Sequence, residues 1–530
     1  MAENITPSFG DANQVVKNST IQADICIVGA GAAGITLATQ LARKGISVLL
    51  LEGGQESISG DSQSLYQAEQ TGIPYFDMTA CRLRFLGGTT NHWGGYCREN
   101  DPIDYEARPS IGLQGWPISF KDVRPYVEKA AQILGIDAEN FDPKKALAEH
   151  PELSAGLLDD KSSKLESKVF LMARKKRFKT DYGEELKTDD RITVLLGANA
   201  TNLNVDTAGT TVSSIDVKTT RGNAFKVQAK TVVLAAHAVG NARLLLVSNA
   251  THKNGIGNHY GHVGKYFMEH PFVSSGLFFP EPNFPKVYSH ETMQRIGINA
   301  NLSLTREAMH EKDILQYYCR FVPLYGFEDT EKALKRVSDG FMHPLDQRMV
   351  NALTKVTQRP WDSMRVLGNH VGVYRPQPIA YSLEHRIEQA PNPNSSVQLS
   401  NDLDALGMRK IVLNWDLNDL DYRTFTIGQE VVESELQRLK LGRFESPQLT
   451  PDVIRRSAEG HYHHIGTTRM GYSERDSVVD ASCKVHGISN LYVAGSGIFA
   501  TSGYSGPTMM IVAFTLRLAE HLAGLRGIKV

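Results

Sequence analysis

No stretch restricts the fold of this chain more than Ala23-Asp24-Ile25-Cys26-Ile27-Val28-Gly29, an apolar run that passes straight into Gly29-Ala30-Gly31-Ala32-Ala33-Gly34. A short continuous apolar run suits a parallel strand buried on both faces. GITLATQLARKG then carries helical periodicity, and ISVLLLE reads as the next strand. Such a βαβ unit implies a parallel sheet wound by right-handed crossovers. In a GxGxxG loop so placed, the glycines Gly29, Gly31 and Gly34 permit the tight turn, the approach of backbone to a pyrophosphate and helix–strand packing. The amides around Ala32 and Ala33 open the helix toward the anion. Glu52 ends the second strand, where its carboxylate would accept hydrogen bonds from an adenosine ribose and repel a 2′-phosphate.

The rest of the chain is organised around that unit. With 530 residues it exceeds what one core usually holds, so two connected domains with room for a large cofactor are expected. A net charge of −1 and the lack of any basic run argue against a nucleic-acid-binding surface. Five cysteines, an odd number without a CxxC pair, point to neither a disulfide framework nor a cysteine-bound metal site, and they read as small buried hydrophobes. The polar start, MAENITPSFGDANQ, has no secretory pattern, and no apolar run of about 18 residues suggests a membrane span. A cytoplasmic protein is the expectation. Beyond a polar leader of about twenty residues, residues 53–115 read as a loop-dominated segment lying across a cofactor and Ser119–Leu134 as a helix. Residues 190–235 alternate like strands, Leu491–Ala494 is one more strand and Thr508–Leu522 a closing helix. Residues 271–450 are the least patterned and are assigned chiefly to a substrate domain.

Further segments narrow the function. Leu86-Gly87-Gly88-Thr89-Thr90-Asn91-His92-Trp93-Gly94-Gly95 joins a glycine-rich backbone to one histidine. Thr231–Ala236 leads into Val239-Gly240-Asn241-Ala242-Arg243, Asn490–Ser496 forms a second strand-to-glycine junction, and Gly115-Trp116-Pro117-Ile118 and Gly264-Lys265-Tyr266-Phe267-Met268-Glu269-His270-Pro271 add two compact motifs. In this order and spacing they resemble the glucose-methanol-choline (GMC) oxidoreductases, above all the pyranose-oxidase-like bacterial branch, from about Ala23 to about Leu522. The resemblance implies an α/β fold with a Rossmann-like FAD-binding domain and a second α+β substrate domain on an antiparallel sheet, the GMC or p-hydroxybenzoate hydroxylase-like architecture. It assigns residues 20–118, 190–270 and 455–530 to the first domain, and 119–189 and 271–454 to the second. The cofactor implied is FAD, contacted through Gly29, Gly31, Ala32, Ala33, Gly34, Glu52, Gly88, Thr89, Asn91, His92, Trp93, Gly94, Gly95, Ala236, Gly495, Ser496, Pro507 and Thr508. In pyranose 2-oxidases the histidine before that tryptophan is bonded to the flavin. Asn91 replaces the usual threonine before it, so covalent and non-covalent attachment through His92 both stay open. His237 stands where the family usually has glycine, which predicts a changed turn.

Oxidising an alcohol on a flavin needs a base for the hydroxyl proton, a hydride path to flavin N5 and donors that hold the substrate oxygen. Gly460-His461-Tyr462-His463-His464-Ile465-Gly466-Thr467 resembles the family's H-x-x-G-T segment, which puts His463 in the base position. Its three histidines invite a metal reading, but no carboxylate or cysteine lies at ligand spacing, so no metal is expected and His461 and His464 read as structural. The family partner in Y-A-N-P-T is an asparagine, where this chain has Tyr504-Ser505-Gly506-Pro507-Thr508. Gly506 brings no side-chain donor, leaving Ser505, Tyr504 or His464 to compensate. Glu269 and His270 are weighed as structural support, and Gln389–Val397 as entry to the second sheet. The implied activity is oxidation of a hydroxyl of a sugar, glycoside or similar small metabolite to a carbonyl, with oxygen or another acceptor reoxidising the flavin. An isomerase or lyase using the flavin as scaffold is the alternative that Gly506 raises. A flavin-binding protein without catalysis is a third reading, opposed by His463. Oligomeric state is not legible.

Overall fold

The computed structural model describes residues 8–137, 141–173, 176–289, 296–339, 347–370 and 378–528. The run that opens the chain forms a strand at Thr20–Val28, followed by a helix at Ala32–Arg43 and a strand at Val48–Glu52. Both strands lie in an eight-stranded sheet, ordered along its main path Phe9–Asp11, Ile192–Leu196, Val48–Glu52, Thr20–Val28, Ala224–Leu234, Val212–Lys218, Asn199–Val205; Leu491–Val493 also pairs with Ala224–Leu234. Ile25, Ile27, Leu50, Val233 and Leu491 are fully buried, as a parallel sheet covered on both faces requires. The polar leader is more than a tail. Its described part adds an edge strand, Phe9–Asp11, parallel to Ile192–Leu196, while residues 1–7 lie outside the described ones.

Register brings the functional loops together. Leu234 pairs with both Val28 and Val493, so three strands end side by side and run into Gly29, Ala235 and Ala494. The closeness is enforced at Gly29, whose φ is +109° and where a Cβ would lie 2.5 Å from the Ala235 carbonyl oxygen. Asn241 ties the junction further, accepting from the Ala236 amide at 2.8 Å and donating to the Leu234 and Ala494 carbonyls at 3.3 and 3.1 Å.

A second sheet of seven strands, antiparallel throughout, runs Gly442–Glu445, Phe272–Pro280, Ala380–Ile387, Tyr317–Leu324, Ile298–Leu304, Leu165–Met172, Tyr96–Cys97. The segment read as least patterned thus supplies most of a regular sheet, on which buried Tyr317, Cys319, Phe321, Leu383 and Ile387 alternate with the polar Arg320, Glu384 and Arg386. Two elements cross the boundaries expected from the sequence. Tyr96–Cys97 edges the antiparallel sheet, and Ala68–Gly72 pairs with Arg409–Trp415 in a three-stranded sheet. The closing helix, Thr508–Gly524, packs against Ala32–Arg43 and against Phe120–Leu134, whose capping box joins Ser119 and Asp122. All five cysteines are free and buried. Among the described residues no helix is long and apolar enough to cross a membrane.

Candidate active site

A cavity of about 550 Å³ runs from the glycine loop of the parallel sheet to the polar face of the antiparallel one. At its first end, the helix opened by Gly31 has no side-chain cap, so its leading amides are unclaimed. A Cβ at Gly31 or Gly495 would meet nothing within 4 Å, and both glycines line the cavity, the geometry of a backbone cradle left open for a ligand. Gly34 faces instead into the packing, where a Cβ would run into the Gly29 carbonyl oxygen, so it spaces helix from strand and does not line the cavity. Glu52 accepts from the amides of Ala30 at 2.9 Å and Gly54 at 2.8 Å. Its carboxylate therefore holds the loop, with further acceptor sites on each oxygen for a ribose. Arg82 and Arg84 line the same cavity, and each has a buried Nε without a hydrogen-bond partner among the described residues. Cationic walls and an uncapped helix end suit a ligand with a diphosphate, so the residues present fit a flavin adenine dinucleotide.

The Leu86–Gly95 loop is stitched to this cradle. The Gly87 amide donates to the Ala30 carbonyl at 2.8 Å, and Gly87 has a left-handed φ of +89°. Gly88, Thr89, His92, Trp93, Gly94 and Gly95 line the cavity; Asn91 does not. Its side-chain amide donates to the Leu86 and Gly88 carbonyls, both at 2.9 Å, so it braces the loop from behind, a correction to its expected cofactor contact. The Trp93 indole donates to the Lys176 carbonyl at 2.8 Å. His237 keeps the turn that glycine would make, with φ +72°, instead of altering it. Its ring packs edge-on against His464, with centroids 4.7 Å apart.

The histidine segment is gripped by one buried carboxylate. Glu269 accepts from the amides of His270 at 2.9 Å, His461 at 3.0 Å and His463 at 2.9 Å, and from the Tyr75 hydroxyl. Burial pushes its carboxyl up, and these bonds push it back. Glu269 thus supports the site structurally. His270 does more, because its Nε2 lies 3.0 Å from the Ser502 carbonyl oxygen and its Nδ1 lies 2.7 Å from Nδ1 of His463. A carbonyl can only accept, so Nε2 of His270 carries the proton. Burial holds His270 down at about 4, so it is neutral and its Nδ1 is an acceptor. His463 must then donate from Nδ1, which leaves its Nε2 bare. The His463 ring lines the cavity beside Gly506, where a Cβ would stand 3.8 Å from that Nε2. Burial, followed by the neighbouring His270 and Arg386, holds His463 well below the usual imidazole range.

His461 stacks on His463 with centroids 5.8 Å apart and donates from Nδ1 to the His270 carbonyl at 2.8 Å. Among the described residues no group of three His, Cys, Asp or Glu is arranged to hold a metal ion.

Two of the three compensators expected for Gly506 are otherwise engaged. Ser505 does not line the cavity, and its hydroxyl reaches Asn100 Oδ1 at 3.4 Å. Tyr504 presents its ring to the cavity while its hydroxyl donates to Asp101 at 2.9 Å. His464 packs among Tyr75, Phe267 and His237, with Cys81 Sγ 3.8 Å from its Nε2, yet it lines the cavity and its buried Nδ1 has no hydrogen-bond partner among the described residues. Pro507 and Thr508 do line it, at a helix start without a side-chain cap, and so do Ala236 and Ser496. The donors that face the cavity come from elements absent from the sequence expectations: Asn299, Tyr318, Arg320 and Arg386 on the antiparallel sheet. Their signal was polar residues at alternate positions, 318 and 320 on one strand, 384 and 386 on the next.

A parallel sheet with an open glycine cradle, set against an antiparallel sheet with a buried imidazole between them, is the arrangement of an FAD-dependent oxidoreductase. Residues 24–264 match the family described as FAD dependent oxidoreductase, and residues 391–515 match GMC oxidoreductase. The chain is 24% identical to the fructose dehydrogenase large subunit of Gluconobacter japonicus, over 96% of this chain and 99% of that one. It is also 24% identical to 6'''-hydroxyparomomycin C oxidase of Streptomyces lividus, over 95% and 92%. The crystal structure of pyridoxine 4-oxidase from Mesorbium loti superposes with a TM-score of 0.57 at 17% identity, covering 95% of this chain and 99% of that chain. The GMC match and these relatives support the GMC oxidoreductase family.

Proposed function

We propose that the protein oxidises a hydroxyl of a sugar, glycoside or similarly hydroxylated small metabolite to a carbonyl, with His463 as the base. The bare Nε2 of His463, held toward the cavity by the chain Ser502–His270–His463, carries this reading. The hydroxyl proton goes to that nitrogen. FAD, when bound, supplies the acceptor for the carbon-bound hydrogen and its electron pair, which oxygen or another acceptor later removes. Asn299, Tyr318 and the arginines of the antiparallel sheet take over the substrate contacts that Gly506 lacks, and this favours oxidation over a scaffold role. The names of the fructose and paromomycin-type relatives agree with a hydroxylated substrate. The same proposal divides the chain at 20–118, 190–270 and 455–530 for the cofactor, with 119–189 and 271–454 for the substrate, supported by the membership of most strands. Mixing the FAD-loaded protein anaerobically with sugars, glycosides and secondary alcohols is expected to bleach the flavin band. Turnover of a substrate without net bleaching would turn the reading to an isomerase or lyase.

His92 is proposed as the flavin's attachment point, supported by its place on the cavity wall beside the backbone of Gly94 and Gly95. Acid-precipitated wild-type protein is expected to stay yellow and acid-precipitated His92→Ala to lose its colour. Colour lost from both would make His92 a non-covalent neighbour of the ring.

A further inference from the structure

The substrate end of the cavity carries more positive charge than its own residues neutralise. In the antiparallel sheet Arg320 stands opposite Glu384 and Tyr318 opposite Arg386, so all four side chains share one face. Arg386 takes the carboxylate, donating to Glu384 Oε2 from Nη2 at 2.6 Å and from Nε at 3.2 Å. Arg320 is left with the same oxygen at 3.7 Å from its Nη1, beyond hydrogen-bond reach, and its buried Nε has no hydrogen-bond partner among the described residues. Both arginines line the cavity and Glu384 does not. The adjacent charges do not cancel the excess: Arg98 and Lys168 share Asp101, and Lys168 also pairs with Glu166, two cations against two carboxylates. A largely buried, weakly paired guanidinium is costly unless a counter-charge arrives. The dinucleotide phosphates belong to the far end, at Gly31 and the uncapped helix. Arg386 lies over the Phe272 ring at 5.3 Å, and Phe272 packs on His461 at 4.5 Å, which puts the excess charge on the histidine side.

Resting on the oxidation reading, we propose that the substrate is a polyhydroxylated anion, its carboxylate or phosphate held by Arg320 and Arg386 while one of its hydroxyls faces His463. The planar guanidinium fork suits either oxyanion. D-Glucuronate and D-gluconate test the carboxylate and glucose 6-phosphate the phosphate, with D-glucose and sorbitol as neutral counterparts. Two measurements on the FAD-loaded protein are needed, the anaerobic rate of flavin reduction and equilibrium binding to the oxidised protein by calorimetry. At least one class of anion is expected to exceed its neutral counterpart by about tenfold or more in affinity or in kcat/KM. Arg320→Gln should shrink that preference by about tenfold, and Arg320→Lys, which keeps the charge, should retain most of it. Equal affinity for neutral and anionic compounds, or a preference unchanged in a folded Arg320→Gln, overturns the proposal. If anions bind in an Arg320-dependent way yet none reduces the flavin, the anion site stands and the oxidation reading falls.

Discussion

His463→Ala is expected to keep FAD bound and to slow flavin reduction by the true substrate about 10²–10⁴-fold, the usual cost of a lost general base. Retention of the cofactor follows from the separation of roles. The residues proposed to cradle the dinucleotide, Gly29, Gly31, Glu52 and Gly495, belong to the parallel-sheet side of the cavity, whereas the His463 ring occupies the wall beside Gly506. The base works neutral, so its activity is lost as pH falls through its pKa. Because burial holds that pKa below 6.5, kcat/KM for flavin reduction should stay flat on descending through pH 6.5 and fall only at more acidic pH. A wild-type rate in His463→Ala would move the base to His461, whose Nε2 is also bare because its Nδ1 donates to the His270 carbonyl.

What could be read from the chain alone depended on whether the physics was local. Gly29, Gly31 and Gly34 have roles set by backbone geometry within one turn, and a strand before and a helix after were enough to predict them. His463 could be singled out because its segment resembles the family's H-x-x-G-T, and its ring lies on the cavity wall. Its partner was not, since the His270 ring meets it across 193 residues of sequence and sits in a motif that reads as packing. Ser505 and Asn91 failed for a related reason: a loop side chain points wherever its hydrogen-bond partner lies, and Asn100 and the Leu86 carbonyl draw these two away from the cavity. Arg320 and Arg386 escaped because polar residues at alternate strand positions read as a solvent-facing side, and only the packing of the two sheets turns that side to the cavity.

His270→Leu should reveal whether that unread partner matters to the chemistry. The substitution is expected to lower the anaerobic rate of flavin reduction on the order of 10²-fold, the lower end of what losing a general base costs, with little change in substrate affinity. Leucine accepts no hydrogen bond, so His463 Nδ1–H would lose its acceptor and the Ser502 carbonyl its donor. The ring is then free to carry its proton on Nε2, facing the substrate with a donor where a base is needed. A merely structural role for His270 predicts otherwise, with lower thermal stability but an unchanged rate in the protein that remains folded. His270→Gln separates the two further, because its side-chain oxygen can accept from Nδ1 while its amide donates to Ser502. Substantial recovery of the rate by glutamine, with loss in leucine, identifies His270 as the residue that sets the tautomer of the base. Equal rates in leucine, glutamine and wild type would show that His463 holds its proton on Nδ1 without help.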